Sequence, residues 1–482
     1  MIPMMVFVGR LVMLQVVDRE YYRVLADENR VKLEIIRADR GVLYDRHGEI
    51  LGRNVPEGRE YVYGEAMSHL LGYVGEISEE ELERCEEGDK CEFGLGDVVG
   101  KMGIEKQYDK RLRGEDGGVL VEHDAEGEVL REIGRREPVT GESLRLTLDS
   151  GLQRKAYELM DKRRGALVAS EAKTGEILAL VSSPGFDPVK VEEYLDDKDL
   201  PMFNRAISGE YPPGSVFKVV AAVGALEEGK VDETTEVEDT GEIKIGPYRF
   251  GNWYYDQYGR KEGKLDIIKG IARSNDIFFY KLGEWLGITA LSDWAKYFGL
   301  GSITEIDLPE EANGLMPDPD WKKEFKGEEW YLGDTYITAI GQGDILMTPL
   351  QVNQMMSVIA SGSKWCQPHL LKSEEDYCRN LDINDKTLEL LIEGLKQVCE
   401  TKGTAWPFFE FEVKGERIYV AGKTGTAEFG DPDDETHAWF TGFAPVEKPQ
   451  IVVTVLLEAA GEGSYQAAPV VKELLSYWFS RQ

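Results

Sequence analysis

Three short motifs in this 482-residue chain carry residue types suited to acyl transfer through serine: Ser215-Val-Phe-Lys218, Ser274-Asn275-Asp276 and Lys423-Thr424-Gly425-Thr426. A serine hydroxyl attacks a carbonyl when a neighbouring base takes its proton, and a desolvated lysine amine is such a base. Each motif alone says little. Ser170-Glu-Ala-Lys173 and Ser361-Gly-Ser-Lys364 also read S-x-x-K, and Lys173-Thr-Gly175 also reads K-T-G. The elements around them must decide.

A serine and a lysine three apart share a face on a helix and point to opposite sides on a strand. Ser170 and Lys173 fall between two apolar runs, 166–169 and 177–181, so the spacing predicts a β-hairpin with Lys173-Thr-Gly175 in its turn. Ser361-Gly-Ser-Lys364 ends a helical stretch and runs on to Pro368, a loop pattern. Tyr211-Pro-Pro-Gly214, in contrast, forbids helix before Ser215. From Val216 to Leu226 the chain is then apolar on every side except at Lys218, as in a helix buried in the middle of a domain. A free lysine titrates near about 10.4, and desolvation can lower that by roughly 3 pH units. Lys218 is therefore read as the general base for Ser215, with amides at the helix N-terminus available to a tetrahedral oxyanion. The plainer alternative is a capping serine beside a lysine that snorkels to solvent.

Ser274 precedes the apolar stretch Ile277–Leu286 and is expected to open a second helix. Asp276 has two readings. As a carboxylate it only accepts hydrogen bonds, and close to Lys218 it would favour the charged amine, against the desolvation just invoked. As an ordinary first-turn residue it would pair with Arg273. In the third motif, a cation with two threonine hydroxyls suits a small anion, and Gly425 lets a ligand approach the backbone. The runs 438–444 and 450–457 read as further strands and 467–479 as a terminal helix. With the hairpin at 166–181 they predict one sheet assembled from both ends of a domain, interrupted by a helical insert over 200–400.

In this order the three motifs resemble the active-site signature of penicillin-binding proteins and serine β-lactamases. Arg40-Gly-Val-Leu-Tyr-Asp-Arg46-His-Gly48 resembles the R-G-x-x-x-D-R-x-G motif of class B penicillin-binding proteins. The stretch Gly100 to Gly114 is similar to a second pedestal motif of that class. Neither holds a plausible nucleophile, so both are read as structural. Gly341-Gln-Gly343 with Thr348-Pro-Leu-Gln351 is another stretch typical of the family, so the resemblance runs along nearly the whole chain. Tyr211-Pro-Pro-Gly214 and His437-Ala-Trp-Phe440 lean toward the elongation-type penicillin-binding protein 2 and away from the septal type.

The resemblance implies an α+β chain with the serine β-lactamase/penicillin-binding transpeptidase fold, an antiparallel sheet sandwiched by helices with a helical insert, behind an elongated mixed pedestal. It divides the sequence into a partial membrane anchor at 1–17, a pedestal (dimerisation-type) domain at 18–145 and a transpeptidase domain at 146–482. It implies a D,D-transpeptidase in which Ser215 attacks the D-Ala-D-Ala amide of a peptidoglycan stem peptide, releases D-Ala and passes the acyl group to an amine on a neighbouring strand. β-Lactams would trap Ser215. Catalytic roles then fall to Ser215, Lys218, Ser274, Asp276 and Lys423, with Ser274 relaying a proton. Substrate binding falls to Thr424, Gly425 and Thr426, where the strand takes a terminal carboxylate and the Thr426 amide joins that of Ser215 in the oxyanion hole. No metal and no cofactor is implied. Nothing before residue 146 resembles a glycosyltransferase, so glycan polymerisation falls to a SEDS-type (RodA-like) partner reached through anchor and pedestal, at the extracytoplasmic face of a bacterial membrane. The alternatives are a septal-type transpeptidase, a D,D-carboxypeptidase or β-lactamase that hydrolyses its acyl-enzyme, and a non-catalytic β-lactam sensor or scaffold. Intact Ser215, Lys218 and Lys423 argue against a pure scaffold.

Composition trims the field further. A net charge of -33, from 89 acidic and 56 basic residues, argues against nucleic acid as a partner. The five histidines show no metal-ligand spacing, and His437 reads as a polar loop residue after Asp431-Pro-Asp-Asp-Glu435. The five cysteines lie outside the motifs, and whether Cys85 pairs with Cys91 is left open by the sequence. Residues 1–17 are apolar but interrupted by Arg10 and shorter than the roughly 20 residues that span a bilayer. They are expected to form the outer end of an anchor, since no small-x-small cleavage site follows.

Overall fold

The computed structural model describes residues 2–86, 91, 93–124, 126, 128–373, 377–430 and 435–481. The N-terminal part begins with helices Ile2–Val12 and Arg19–Arg30. Among the described residues no helix is long and apolar enough to cross a membrane. A two-stranded pair, Val74–Glu76 with Val98–Gly100, and two larger sheets follow. One joins Val31–Ile36, Gly117–His123 and Val129–Arg136 in antiparallel order, and the other orders Gly58–Tyr61, Ile50–Val55, Leu43–Tyr44 and Leu144–Arg145. Its last pair is parallel, Leu43 against Leu144, so the strand leaving this region returns beside the strand that enters it. Leu43, Leu51, Leu70, Ile104 and Leu112 bury their side chains together with Ala166, Val168, Ile177 and Leu180 of the following sheet. The N-terminal part is thereby rooted on the second part through a shared core.

The second part is built on five strands: β1 Gly165–Glu171, β2 Ile177–Ser183, β3 Ala421–Glu428, β4 Thr436–Ala444 and β5 Ile451–Leu457, in the order β2-β1-β5-β4-β3. Every pairing is antiparallel. Strands β1, β2 and β5 read as near-continuous apolar runs because both faces are covered. Ser150–Met160 and the terminal helix Gly463–Ser480 pack together against the sheet, and Pro349–Ser361 packs against it from the helical insert. Asn353 of that last helix donates to Val168 O and to Thr454 Oγ1 across the contact.

The hairpin over 165–183 has Lys173-Thr-Gly175 in its turn, with Gly175 at φ +84°. The other decoy departs from a plain loop. Ser361 ends its helix, Gly362 and Ser363 turn through positive φ, and Lys364 opens a short strand, Lys364–Cys366, paired with Cys378–Asn380 and closed by a Cys366–Cys378 disulfide. Cys85 and Cys91 form a second disulfide, and Cys399 is a buried free thiol.

Candidate active site

A proline disfavours helical backbone at the residue before it, so Pro212 and Pro213 keep Tyr211 and Pro212 out of a helix. The chain instead makes a 3₁₀ turn over Gly214–Phe217 and becomes α-helical at Lys218–Glu227, three residues later than a helix opened by Ser215. Gly214 takes φ +55°, a conformation that suits glycine. Ser215 is half-buried, and its hydroxyl is bonded to no described residue. Lys218 is 1% exposed.

Ser274 does not open its helix. It sits at φ +53°, a costly region for a side chain with a Cβ. Asn275 is the cap, its Oδ1 accepting the Phe278 amide at 3.0 Å, and the helix proper is Asp276–Leu286. The left-handed kink turns the Ser274 hydroxyl toward both lysines. Lys423 Nζ donates to Ser274 Oγ at 2.7 Å and Lys218 Nζ lies 3.3 Å from the same oxygen. Lys218 Nζ also donates to Ser274 O at 2.8 Å and to Asp276 Oδ1 at 2.6 Å. Asp276 Oδ2 accepts the Trp253 amide at 2.9 Å, and Asn252 Oδ1 accepts the Asp276 amide at 3.1 Å. The first-turn pairing of Asp276 with Arg273 does not occur, because Arg273 turns away to Glu262.

The cluster holds two amines and one carboxylate, all buried. Burial pushes Lys218 below the ordinary lysine range, with Asp276 opposing. Lys423 lies well below it, through burial and then through the repulsion of Lys218. One ammonium is neutralised by Asp276. A second would be an uncompensated buried charge, which costs several kcal/mol on the order of a broken buried ion pair, so one amine of the pair is held neutral. The shared Ser274 hydroxyl connects the two amines and so offers a proton path between them.

Strand β3 is the edge of the sheet and carries Lys423, Thr424, Gly425 and Thr426. Thr424 Oγ1 lies 2.8 Å from Thr404 Oγ1, and Thr426 O accepts a 3.4 Å contact from Gln342 Nε2. The Ser215 turn abuts this strand. A Cβ on Gly214 would stand 2.7 Å from Thr426 O, and one on Gly425 would stand 3.1 Å from Pro213 O. The two backbones touch only because both positions are glycine. The eight residues singled out in the three motifs thus converge on one locus. Asn252, Trp253 and Thr404 were not foreseen, since they sit in no motif and act through main-chain or single side-chain contacts, and Asn275 lies inside the second motif but carried no expected role.

His437 is not a loop residue. It lies on β4, buried, with its ring stacked on Phe429 at 4.1 Å, and burial holds it down to about 4. Its Nδ1 accepts the Ala459 amide. Asp431–Asp434, which suggested a loop, lie outside the described residues. Ser170 is tied to Asn353, away from the locus. Among the described residues no group of three or more His, Cys, Asp or Glu side chains could hold a metal ion.

Residues 165–476 match the family of the penicillin binding protein transpeptidase domain, and 56–146 that of the penicillin-binding protein dimerisation domain. The peptidoglycan D,D-transpeptidase MrdA of Acinetobacter baumannii is 34% identical over 458 residues, which cover 87% of this chain and 66% of the relative. The chain spans about two thirds of the length of that curated relative. A structure of the PBP2–MreC complex from Helicobacter pylori superposes with a TM-score of 0.81 at 28% identity, covering 94% of this chain and 99% of the other. Pseudomonas aeruginosa PBP2 in complex with WCK 5153 gives 0.80 at 33% identity, covering 93% and 96%.

Proposed function

The chain belongs to the class B penicillin-binding protein transpeptidases, and from that premise we propose that it is an elongation-type peptidoglycan D,D-transpeptidase acting through Ser215. The observation that carries the assignment of roles is the Ser274 hydroxyl, shared between Lys423 Nζ and Lys218 Nζ beside the Ser215 turn. Lys218, once its own proton has moved through the Ser274 hydroxyl to Lys423, takes the proton of Ser215 as its Oγ attacks the D-Ala-D-Ala carbonyl. The amides of Ser215 and Thr426 hold the tetrahedral oxyanion. The proton passes through Ser274 to the nitrogen of the leaving D-Ala, while Lys423, Thr424 and Thr426 hold its carboxylate. An amine from a neighbouring stem peptide then attacks the ester and frees Ser215. Asp276 balances one ammonium and keeps Lys218 oriented.

We assign residues 1–17 to an anchor, 18–145 to the pedestal and 146–482 to the transpeptidase domain. The two disulfides suit an oxidising compartment and hence the extracytoplasmic face of the membrane. The H. pylori relative is a complex with MreC, and the corresponding surface here is assigned to a protein of that kind. A SEDS-type polymerase is assigned to the anchor and pedestal. Incubation with benzylpenicillin followed by intact mass tests the reading. A long-lived adduct on the wild type and none on Ser215→Ala is expected. An adduct that turns over quickly favours hydrolysis, and no adduct on folded protein favours a scaffold.

A further inference from the structure

An oxyanion hole works only when its donors lie within about 2.7–3.1 Å of one oxygen. Here the two donors come from different elements, the Ser215 turn and strand β3, so something must fix their spacing. The turn cannot do so alone. Pro212 and Pro213 remove two amides in succession, leaving carbonyls and the single Gly214 N–H as its means of attachment. Gly214 N donates to Gly341 O at 2.8 Å. Pro212 O accepts the indole N–H of Trp439 at 3.0 Å. Trp439 is 0% exposed and stands directly across the ladder from Gly425, one residue before Thr426. The same side chain therefore reads the position of the strand and holds the turn.

Tyr211 braces this link. Its main chain exchanges two hydrogen bonds with Met347, its hydroxyl donates to Glu458 Oε1 at 2.7 Å, and its ring meets Trp439 edge-on at 6.3 Å between centroids. Glu458 is itself paired with Arg205 and Arg164, so the acceptor under Tyr211 is fixed.

We propose that Trp439 is a positioning residue for acyl transfer, its buried N–H setting the gap between the Ser215 and Thr426 amides, with Tyr211 as its brace. The proposal rests on the reading of Ser215 as nucleophile. The test uses the full chain with Trp439→Phe, which keeps a buried ring and loses the N–H, and Tyr211→Phe, which loses only the Glu458 tie. Three quantities are measured: the rate constant of acylation by benzylpenicillin, the constant for its non-covalent binding, and the affinity for a boronic acid whose tetrahedral adduct on Ser215 places an oxygen in the hole. For Trp439→Phe the acylation rate constant and boronate affinity fall together by about ten-fold or more, because small displacements of catalytic groups are costly, while non-covalent binding is unchanged. Tyr211→Phe loses about three-fold in the same two quantities. If both variants acylate and bind boronate like the wild type, the proposal is overturned. It is equally overturned if losses appear in non-covalent binding alone. Should Trp439→Phe fail to fold, Tyr211→Phe decides. A wild type that forms no adduct would instead overturn the reading of Ser215.

Discussion

Two buried charge clusters in this chain obey the same physics and reach opposite results. In the N-terminal part, Arg40 donates to both Glu105 and Asp109, and Arg59 to Glu105, Asn54 and Gly41 O. Two cations meet two anions through guanidinium forks that saturate the available acceptors. Burial lowers Arg40, yet Glu105 and Asp109 outweigh it and hold the guanidinium above the ordinary arginine range. At the Ser274 locus two lysines meet one carboxylate, and burial wins. The first arrangement is rigid and chemically idle. The second leaves an amine ready to accept a proton, so charge count and the choice of lysine over arginine separate a structural cluster from a reactive one.

The comparison breaks most visibly by removing one member from each side. Lys218→Met is expected to slow acylation by about 10²–10⁴-fold, the range for loss of a general base, with the protein still folded, as single-turnover mass measurements will show. Acylation within a few-fold of wild type would remove Lys218 from the mechanism. In the N-terminal cluster Glu105→Ala leaves two arginines without their shared anion, and a loss of about 3–5 kcal/mol is expected in denaturant unfolding. The folded fraction should acylate at the wild-type rate. An unchanged midpoint would mean that the cluster is not the balanced anchor described above.

A smaller effect sharpens the contrast through linkage. A lysine whose folded pKa is depressed is neutral in the native state at pH values where the unfolded chain carries a proton. The unfolded state then binds more protons, and stability rises with pH until the unfolded value is reached. For Lys423 that window runs from its depressed value up to the ordinary 10.5. Lys423→Met should flatten the rise of unfolding free energy as pH climbs toward the ordinary lysine value. An identical slope in the variant would place the proton on Lys423 in the folded state.

Much of this was legible because the signals were local. The Pro-Pro-Gly break and the apolar surround of Lys218 singled out one S-x-x-K from three, and the alternation of strand runs with a Gly turn exposed the decoy at 170–175. What escaped lies in long-range pairing. The amide of Trp253 and the side chain of Asn252 reach Asp276 from more than twenty residues away, and an ordinary-looking Arg273 is drawn off by Glu262. Ser274 looks like a helix start until the left-handed turn before Asn275 is seen. His437 follows an acidic run typical of loops, yet pairing with Ala427 places it in the sheet. Cys366 and Cys378 were apart from every motif, and only the short ladder between them brings them together.

The most direct test of the central claim, that a buried excess of amines supplies a neutral base to Ser215, is the pH profile of single-turnover acylation by benzylpenicillin in the wild type and in Asp276→Asn. Acylation should fail as pH drops and the amine gains its proton, with an acid limb below the ordinary lysine range. Removing the carboxylate takes away what favours the ammonium, so the limb should move to lower pH in Asp276→Asn. A limb at the ordinary lysine value, or one that stays in place when Asp276 is replaced, would contradict the account.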